Sequence, residues 1–397
     1  MKPAETALLI DSHQLKQKLH NIQNLGGAHT PVISCYLDMH QGQQSCIHYM
    51  TRQLQQIFPQ SSPNSDHAER MQLTQQALKR IIIDNWHAQA NALVIFFSLA
   101  ETGPEVEVLA LATTLQNQLT VYTRANIAPL LALRDVSQNA ILLSYINGII
   151  QLFRRDLGVN RLIAWAVAPE LSADTDFQNA SVKSEKRHNR LRKILRSLLK
   201  SGKTLFIIND DPADIDNIKA WLLQKTANEL NHHIVLPYNQ DQSGLLTFIQ
   251  HHFKVQQNIQ SDNLANRLLS SLRFKGPARV GSVATLEALK NRDVDHLVLA
   301  RDHLALINYR CEHCDTFIND QPSAENCSHC GTPHITPWNA AIEASWIAYN
   351  KNVPVALVES NDLQYIGGVG CLLRHEHKVM PYPVQHPTLN KGLDLVA

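Results

Sequence analysis

SEKRHNRLRKILRSLLK, Ser184 to Lys200, sets an apolar stripe against an unusual density of positive charge. Leu191, Ile194, Leu195, Leu198 and Leu199 recur at helical spacing, which predicts a helix that packs on a core through that face. The opposite face carries Lys186, Asn189, Lys193, Arg196 and Lys200, with Arg190 and Arg192 flanking. From Lys183 to Lys203 there are nine Lys or Arg against one acid, Glu185. A charge run is ordinarily a solvated face, and that reading stays open here. Charges of one sign, however, repel instead of forming i,i+4 pairs, and a bound phosphate backbone would relieve that repulsion. Lys183, Lys186, Arg187, His188, Arg190, Lys193, Arg196 and Lys200 are therefore the candidate RNA contacts.

The local charge stands out because the 397-residue chain carries a formal net charge of only +1. Any contact with a polyanion must come from a patch, since no global field is available to steer one. A hydrophobic content of 44% with 18% charged residues fits a soluble globular protein and argues against a disordered or fibrous one. No apolar run is long enough for a membrane span, and MKPAETALLIDSHQ lacks the basic start and long apolar centre of a signal peptide. A cytoplasmic location is the expectation. No Walker loop, GxSxG elbow or HExxH occurs, and the 20 histidines show no catalytic spacing.

The length predicts two or three domains, and the pattern of elements favours an α/β (α+β) multidomain chain with three. Residues 1–135 begin with a helical pattern, followed by the strands VISCYLDM and ALVIFFSL with helices between them. Residues 136–270 contain NAILLSYINGIIQLFRR, NRLIAWAVA, the basic helix, TLFIIND and HHIVLPYN, and end in a polar segment. Residues 271–380 form a third unit, and 381–397, with three prolines nearby, read as a tail.

Within the third unit, CEHC and CSHC place Cys311, Cys314, Cys327 and Cys330 as two CxxC knuckles twelve residues apart. Each knuckle supplies two corners of a tetrahedron, so the set fits structural Zn2+ in an insert spanning 309–334. Disulfides or a redox pair are the alternatives. Four protein ligands leave no open position for catalysis. His313, His329 and His334 could compete as ligands. The scattered Cys35, Cys46 and Cys371 read as small core residues rather than reactive thiols. Gly367, Gly368 and Gly370 lack the strand and helix context of a phosphate cradle and read as a tight turn.

EKRHNRLRKIL closely resembles the segment after the catalytic tip in the superfamily of archaeal and eukaryotic-type class I release factors, Pelota-type rescue factors and their bacterial relatives. TLEAL with VDHLVLA, and IGGVGCLLR, resemble the third, L7Ae-like domain of the same superfamily. HTPVISCYLDMHQGQQS resembles the first strand of its bacterial branch. The resemblance implies a factor that spans the ribosomal A site. It places Asp176, Phe177, Gln178 and Asn179 at a peptidyl-transferase-centre tip, and His40, Gln41, Gln43 and Gln44 in a decoding-centre loop. Neither the Gly-Gly-Gln tripeptide nor the Asn-Ile-Lys-Ser loop is present. The implied role is thus non-catalytic occupation of vacant or idle 70S ribosomes through 23S and 16S rRNA. Elongation factor Tu is the implied partner, with no DNA and no membrane. A rescue factor or peptidyl-tRNA hydrolase using Gln178 is the first alternative, and a structured-RNA binder acting off the ribosome is the second.

Overall fold

The computed structural model describes residues 9–25, 30–57, 66–100, 103–135, 140–146, 148–167, 182–199, 204–209, 218, 233–237, 242–291, 293–304, 308–314, 317–318, 326–327, 329–333 and 335–374. The chain is a mixed α/β multidomain protein built on four sheets. Among the described residues, no helix is long and apolar enough to cross a membrane.

The first sheet has the order β3-β2-β1-β4, from Gly103–Leu111, Ala92–Ala100, Val32–Asp38 and Gln118–Tyr122, all antiparallel. Strict alternation buries it on both sides. Ile33, Cys35 and Leu37 meet Met50, Leu54, Leu78 and Ile82 of α2 (Gln43–Ile57) and α3 (Asp66–Asp84). Val32 and Tyr36 face the other way, toward α1 (Ser12–Ile22) and α4 (Ala128–Asp135). Asp11 starts α1 with a capping box, its side chain accepting from Gln14 N–H while Gln14 reaches back to the Asp11 N–H.

The central sheet has the order β7-β6-β5-β8-β9, from Val159–Val167, Ile149–Asp156, Ala140–Ile146, Thr204–Asn209 and His233–Pro237. Its β5, β8 and β9 run parallel, and β5-β6-β7 is an antiparallel meander. The basic helix α5 (Val182–Leu199) covers one face, and α6 (Gln242–Arg273) reaches the other through Ile249 and Phe253. The polar-looking stretch after residue 255 is thus helical, because α6 serves two sheets in turn. Its later turns place Ala265 and Leu268 on the third sheet. Phe253 and Leu268 are about four turns plus 60° apart, so their apolar positions do not fall into a single stripe.

The third sheet has the order β10-β16-β11-β15, from Ala278–Val280, Val369–Leu373, Val294–Ala300 and Val355–Val358, with β11 and β15 parallel. The face opposite α6 packs on α7 (Ser282–Asn291) and α8 (Ala340–Lys351), in a core that continues without a break into α4 and the first sheet. Trp346, 1% exposed, fastens this junction by donating from Nε1 to Ala125 O at 2.8 Å. Arg124 stacks 5.0 Å above the Trp346 ring and pairs with Glu343 at 3.0 Å. After the short α9 (Asn361–Tyr365), Gly367 and Gly368 both take positive φ, and a Cβ on Gly368 would meet the His303 ring at 2.0 Å. Gly367 and Gly368 form a structural turn, whereas Gly370, expected with them, lies in β16, where a Cβ would meet Leu268 Cδ2 at 2.8 Å. The fourth sheet, β13-β12-β14, is small: Phe317–Ile318, Asn308–Cys311 and Ile335–Trp338.

The expected boundary near 135 falls beside residues 136–139, outside the described residues, as does the tail at 381–397. Around residue 270 the chain is continuous helix.

Candidate metal centre and nucleic-acid interface

The small sheet brings four cysteines together from two turns. Cys311 ends β12, Cys314 follows in the next turn, and Cys327 and Cys330 sit in a second turn closed by Gly331 N–H to Cys327 O at 2.8 Å and Cys327 N–H to Thr332 O at 2.7 Å. Gly331 takes φ +75°, which a side chain would oppose. All four Sγ atoms lie within 4.8 Å of one another, with Cys311–Cys330 at 3.5 Å and Cys314–Cys327 at 3.7 Å. A tetrahedral Zn–S₄ centre with bonds of about 2.3 Å has edges of about 3.8 Å, whereas a disulfide requires about 2.05 Å. The cysteines are free and spaced as metal ligands.

The surroundings favour thiolate, the form that ligates. The Thr332 hydroxyl, helped by backbone N–H groups of Cys314 and His313, draws the Cys311 thiol down to about 5 against the opposing effect of burial. Cys330 is lowered by the same hydroxyl and by Thr332 N–H. His329 N–H points to Cys327 Sγ at 3.4 Å. The residues fit a structural metal of the Cys₄ class, which would supply the fold of a sheet with little core of its own. His313 and His329 are exposed and stand outside the cluster, and His334 lies outside the described residues. By contrast, Cys35, Cys46 and Cys371 are buried, and burial pushes them up, Cys46 to about 11 and Cys371 to about 12. They have the character of core residues, not nucleophiles.

The helix α5 presents the second candidate site. Leu191 and Leu195, each 2% exposed, enter the central core with Ile194 and Leu198 beside them. Lys186, Asn189, Arg190 and Lys193 are exposed on the other side, and Arg196 is half-buried. Among the described residues no carboxylate pairs with Lys186, Arg190, Lys193 or Arg196. The backbone of Lys183, Arg187 and His188 is in the helix, and Lys200 lies outside the described residues. So do Asp176, Phe177, Gln178 and Asn179.

His40 and Gln41 belong to a 3₁₀ turn, Met39–Gln41, and Gln43 and Gln44 to the first turn of α2, so the segment expected as a loop is ordered backbone. Asp38 caps the turn: Oδ1 accepts His40 N–H at 3.1 Å and lies 3.0 Å from His40 Nδ1. Gly42, at φ +86°, links turn to helix. His40, Gln41 and Gln44 are exposed, and Gln43 is half-buried. The capping residue was readable as Asp before a turn, but the cap was not.

No protein-family profile matches the sequence, and no curated protein matches it. Solved structures with similar parts include a ribosome-bound archaeal Pelota, at 9% identity and TM-score 0.42 over 93% of this chain and 95% of that one. Pelota from Archaeoglobus fulgidus aligns at 13% identity and TM-score 0.32, covering 74% of this chain and 82% of its own. Dom34 from S. cerevisiae, a translation termination-like factor, aligns at 11% identity and TM-score 0.36, with 74% and 81% covered. TM-scores of this size do not define a shared overall arrangement.

Proposed function

We propose that the chain is a ribosome-binding translation factor that occupies the A site of vacant or idle ribosomes without catalysing a reaction. The observation that carries this reading is the exposed basic face of α5, Lys186, Arg190 and Lys193, on a chain of net charge +1. That face is an anchor for rRNA phosphates, which requires charge and shape but no nucleophile. The motif pattern supports the non-catalytic part. EKRHNRLRKIL is kept, while the glycines that give a release tip its backbone freedom are absent from SADTDFQNASVK. In this respect the chain resembles Balon, the hibernation factor of the bacterial branch. By the same resemblance, 23S rRNA meets the basic helix, 16S rRNA meets the turn at His40–Gln44, and elongation factor Tu is the delivery partner. The three-domain division at 135 and 270 and structural Zn2+ belong to the same reading.

Sedimentation with 70S ribosomes over a salt series tests it. Replacing Lys186, Lys193 and Arg196 together by Glu should lower the slope of log affinity against log salt by about 2 to 3, one phosphate contact per residue. An unchanged slope makes the helix a solvated face. Peptide release from loaded ribosomes that Gln178→Ala abolishes would replace the non-catalytic reading with hydrolysis.

A further inference from the structure

The three large sheets meet around one cavity of about 120 Å³. The first unit contributes Thr113 and Thr114, the central unit Arg155, Gln250 and Lys254, and the third unit Arg301. The volume is far below the several hundred Å³ of a drug-sized pocket but has room for a few waters or one compact anion.

Charge bookkeeping within this wall is uneven. Its carboxylates are already engaged: Asp38 with the His40 turn, and Glu359 with Gln116 Nε2 at 3.2 Å and Arg301 Nε at 3.4 Å. Arg155 is only 2% exposed, and its Nη1 donates to Asn160 Oδ1 at 3.0 Å. Among the described residues no carboxylate pairs with Arg155 or Lys254. Burial alone lowers Arg155, to about 10, so it stays charged at neutral pH. Among the described residues the side chain that receives a hydrogen bond from this buried guanidinium is a neutral amide, whereas buried charges are ordinarily paired or hydrogen-bonded to an anion.

We propose that this cavity binds a small phosphoryl anion, bridging the central unit through Arg155 and Lys254 to Arg301 of the third. Arg155 provides a fixed guanidinium fork, Lys254 a point charge at the exposed mouth, and Thr113 and Thr114 neutral hydroxyls. Because the wall is assembled from three units, the ligand binds only when they are docked, and its presence favours the docked state. This proposal is independent of ribosome binding.

The test is calorimetric titration of the full-length protein with inorganic phosphate and, separately, adenosine monophosphate, at constant ionic strength. Saturable 1:1 binding is expected, together with a higher unfolding midpoint. Tighter binding of inorganic phosphate assigns the site to the free ion, and tighter binding of the nucleotide assigns it to a phosphate ester. Arg155→Met should abolish binding. Lys254→Met, at an exposed position that leaves the fold intact, should weaken it about tenfold. The Lys186/Lys193/Arg196 charge-reversal variant should bind as the parent does. No saturable binding of either ligand, parental affinity in Lys254→Met, or loss of binding in the helix variant would each overturn the proposal.

Discussion

Gly158→Ala tests whether the central unit is seated on the first sheet as described. Leu157 and Gly158 form the tip of the β6–β7 hairpin, with φ +47° and +85°. Leu157 inserts into the core shared by the first and third sheets. A Cβ on Gly158 would lie 2.6 Å from Ala112 O and 2.7 Å from Ala112 C, where ordinary contact begins at 3.4 Å. The hairpin must therefore withdraw by about 0.8 Å or push Ala112 away. Ala112 O cannot move freely, because it accepts from Asn91 Nδ2 at 2.7 Å and from Gln250 Nε2 at 3.0 Å. Overpacking of this kind costs about 1–3 kcal/mol, and a Cβ at positive φ a further 1–2 kcal/mol or so. Gly281, at φ +82° with no atom within 4 Å of its Cβ, supplies a control that carries the backbone cost alone. Hydrogen exchange on peptides covering 110–114 and 155–160 reads the difference. The docking loss is the overpacking share, about 1–3 kcal/mol, which accelerates exchange roughly 5- to 150-fold at these peptides. The Gly281→Ala protein should leave them near the parental rate. Equal protection of both peptides in the two variants would mean that the hairpin is not docked against Ala112.

Two further outcomes follow from the third unit. The isolated protein should carry about one zinc per chain by elemental analysis, and Cys311→Ser or Cys330→Ser should lose it. Since the described residues of the small sheet and its turns add only Trp338, Cys311 and Cys327 to buried structure, chelation should melt β12–β14 at a local cost on the order of 10 kcal/mol while the main far-ultraviolet transition persists. The second outcome concerns pH. Burial lowers His303 despite the nearby Asp302, and its Nδ1 is buried with no hydrogen-bond partner. The unfolded chain therefore takes up a proton, at an ordinary histidine value near 6.5, that the folded chain resists. Stability should fall as pH drops below about 6.5, and His303→Asn should flatten part of that slope in melts from pH 7.5 to 5.5. An unaltered slope would remove His303 as its source.

Much of this was visible in the residues, and what was not has identifiable causes. The basic helix was legible because its apolar spacing and its charge are both local properties of α5. The cysteine cluster was legible because two short turns dictate ligand spacing whatever surrounds them. The edge strands β3 and β4 were missed, because GPEVEVLAL and QLTVY carry mixed, half-buried patterns that alternate weakly. The length of α6 was hidden by its service to two sheets at different angles. The His40 turn was read as a loop because its order comes from the Asp38 cap and from Asn117 Nδ2 donating to Gln41 Oε1 at 2.9 Å. That second contact joins residues 76 apart in the chain. Arg155 had no sequence signal at all. It is one charged residue in a strand, and only the packing of three units makes it a buried cation.

The contacts between units differ in kind, and this difference bears on how the molecule would move. The first and third sheets are joined by a continuous apolar core with Trp346, Leu130 and Leu131 at its middle, so separating them would expose large buried side chains to water. The central unit is held on differently. Its links include Ser12 Oγ to Asp156 Oδ2 at 2.6 Å, Asp11 to the largely exposed Arg161 at 2.5 Å, Gln250 to Ala112, the apolar plug of Leu157, and the continuous helix α6, which packs on both the central and the third sheets. Exposed ion pairs contribute little, and small polar interfaces between units are where relative motion is expected. The first and third units should therefore move as one body, and displacement of the central unit, which carries the basic helix, would have to pivot or bend at the shared helix α6. The cavity lies on that seam. An anion bridging Arg155 to Arg301 would shift the balance toward the docked form only as far as its affinity for the two forms differs. The position of α5 relative to the His40 turn would then depend on whether that cavity is filled.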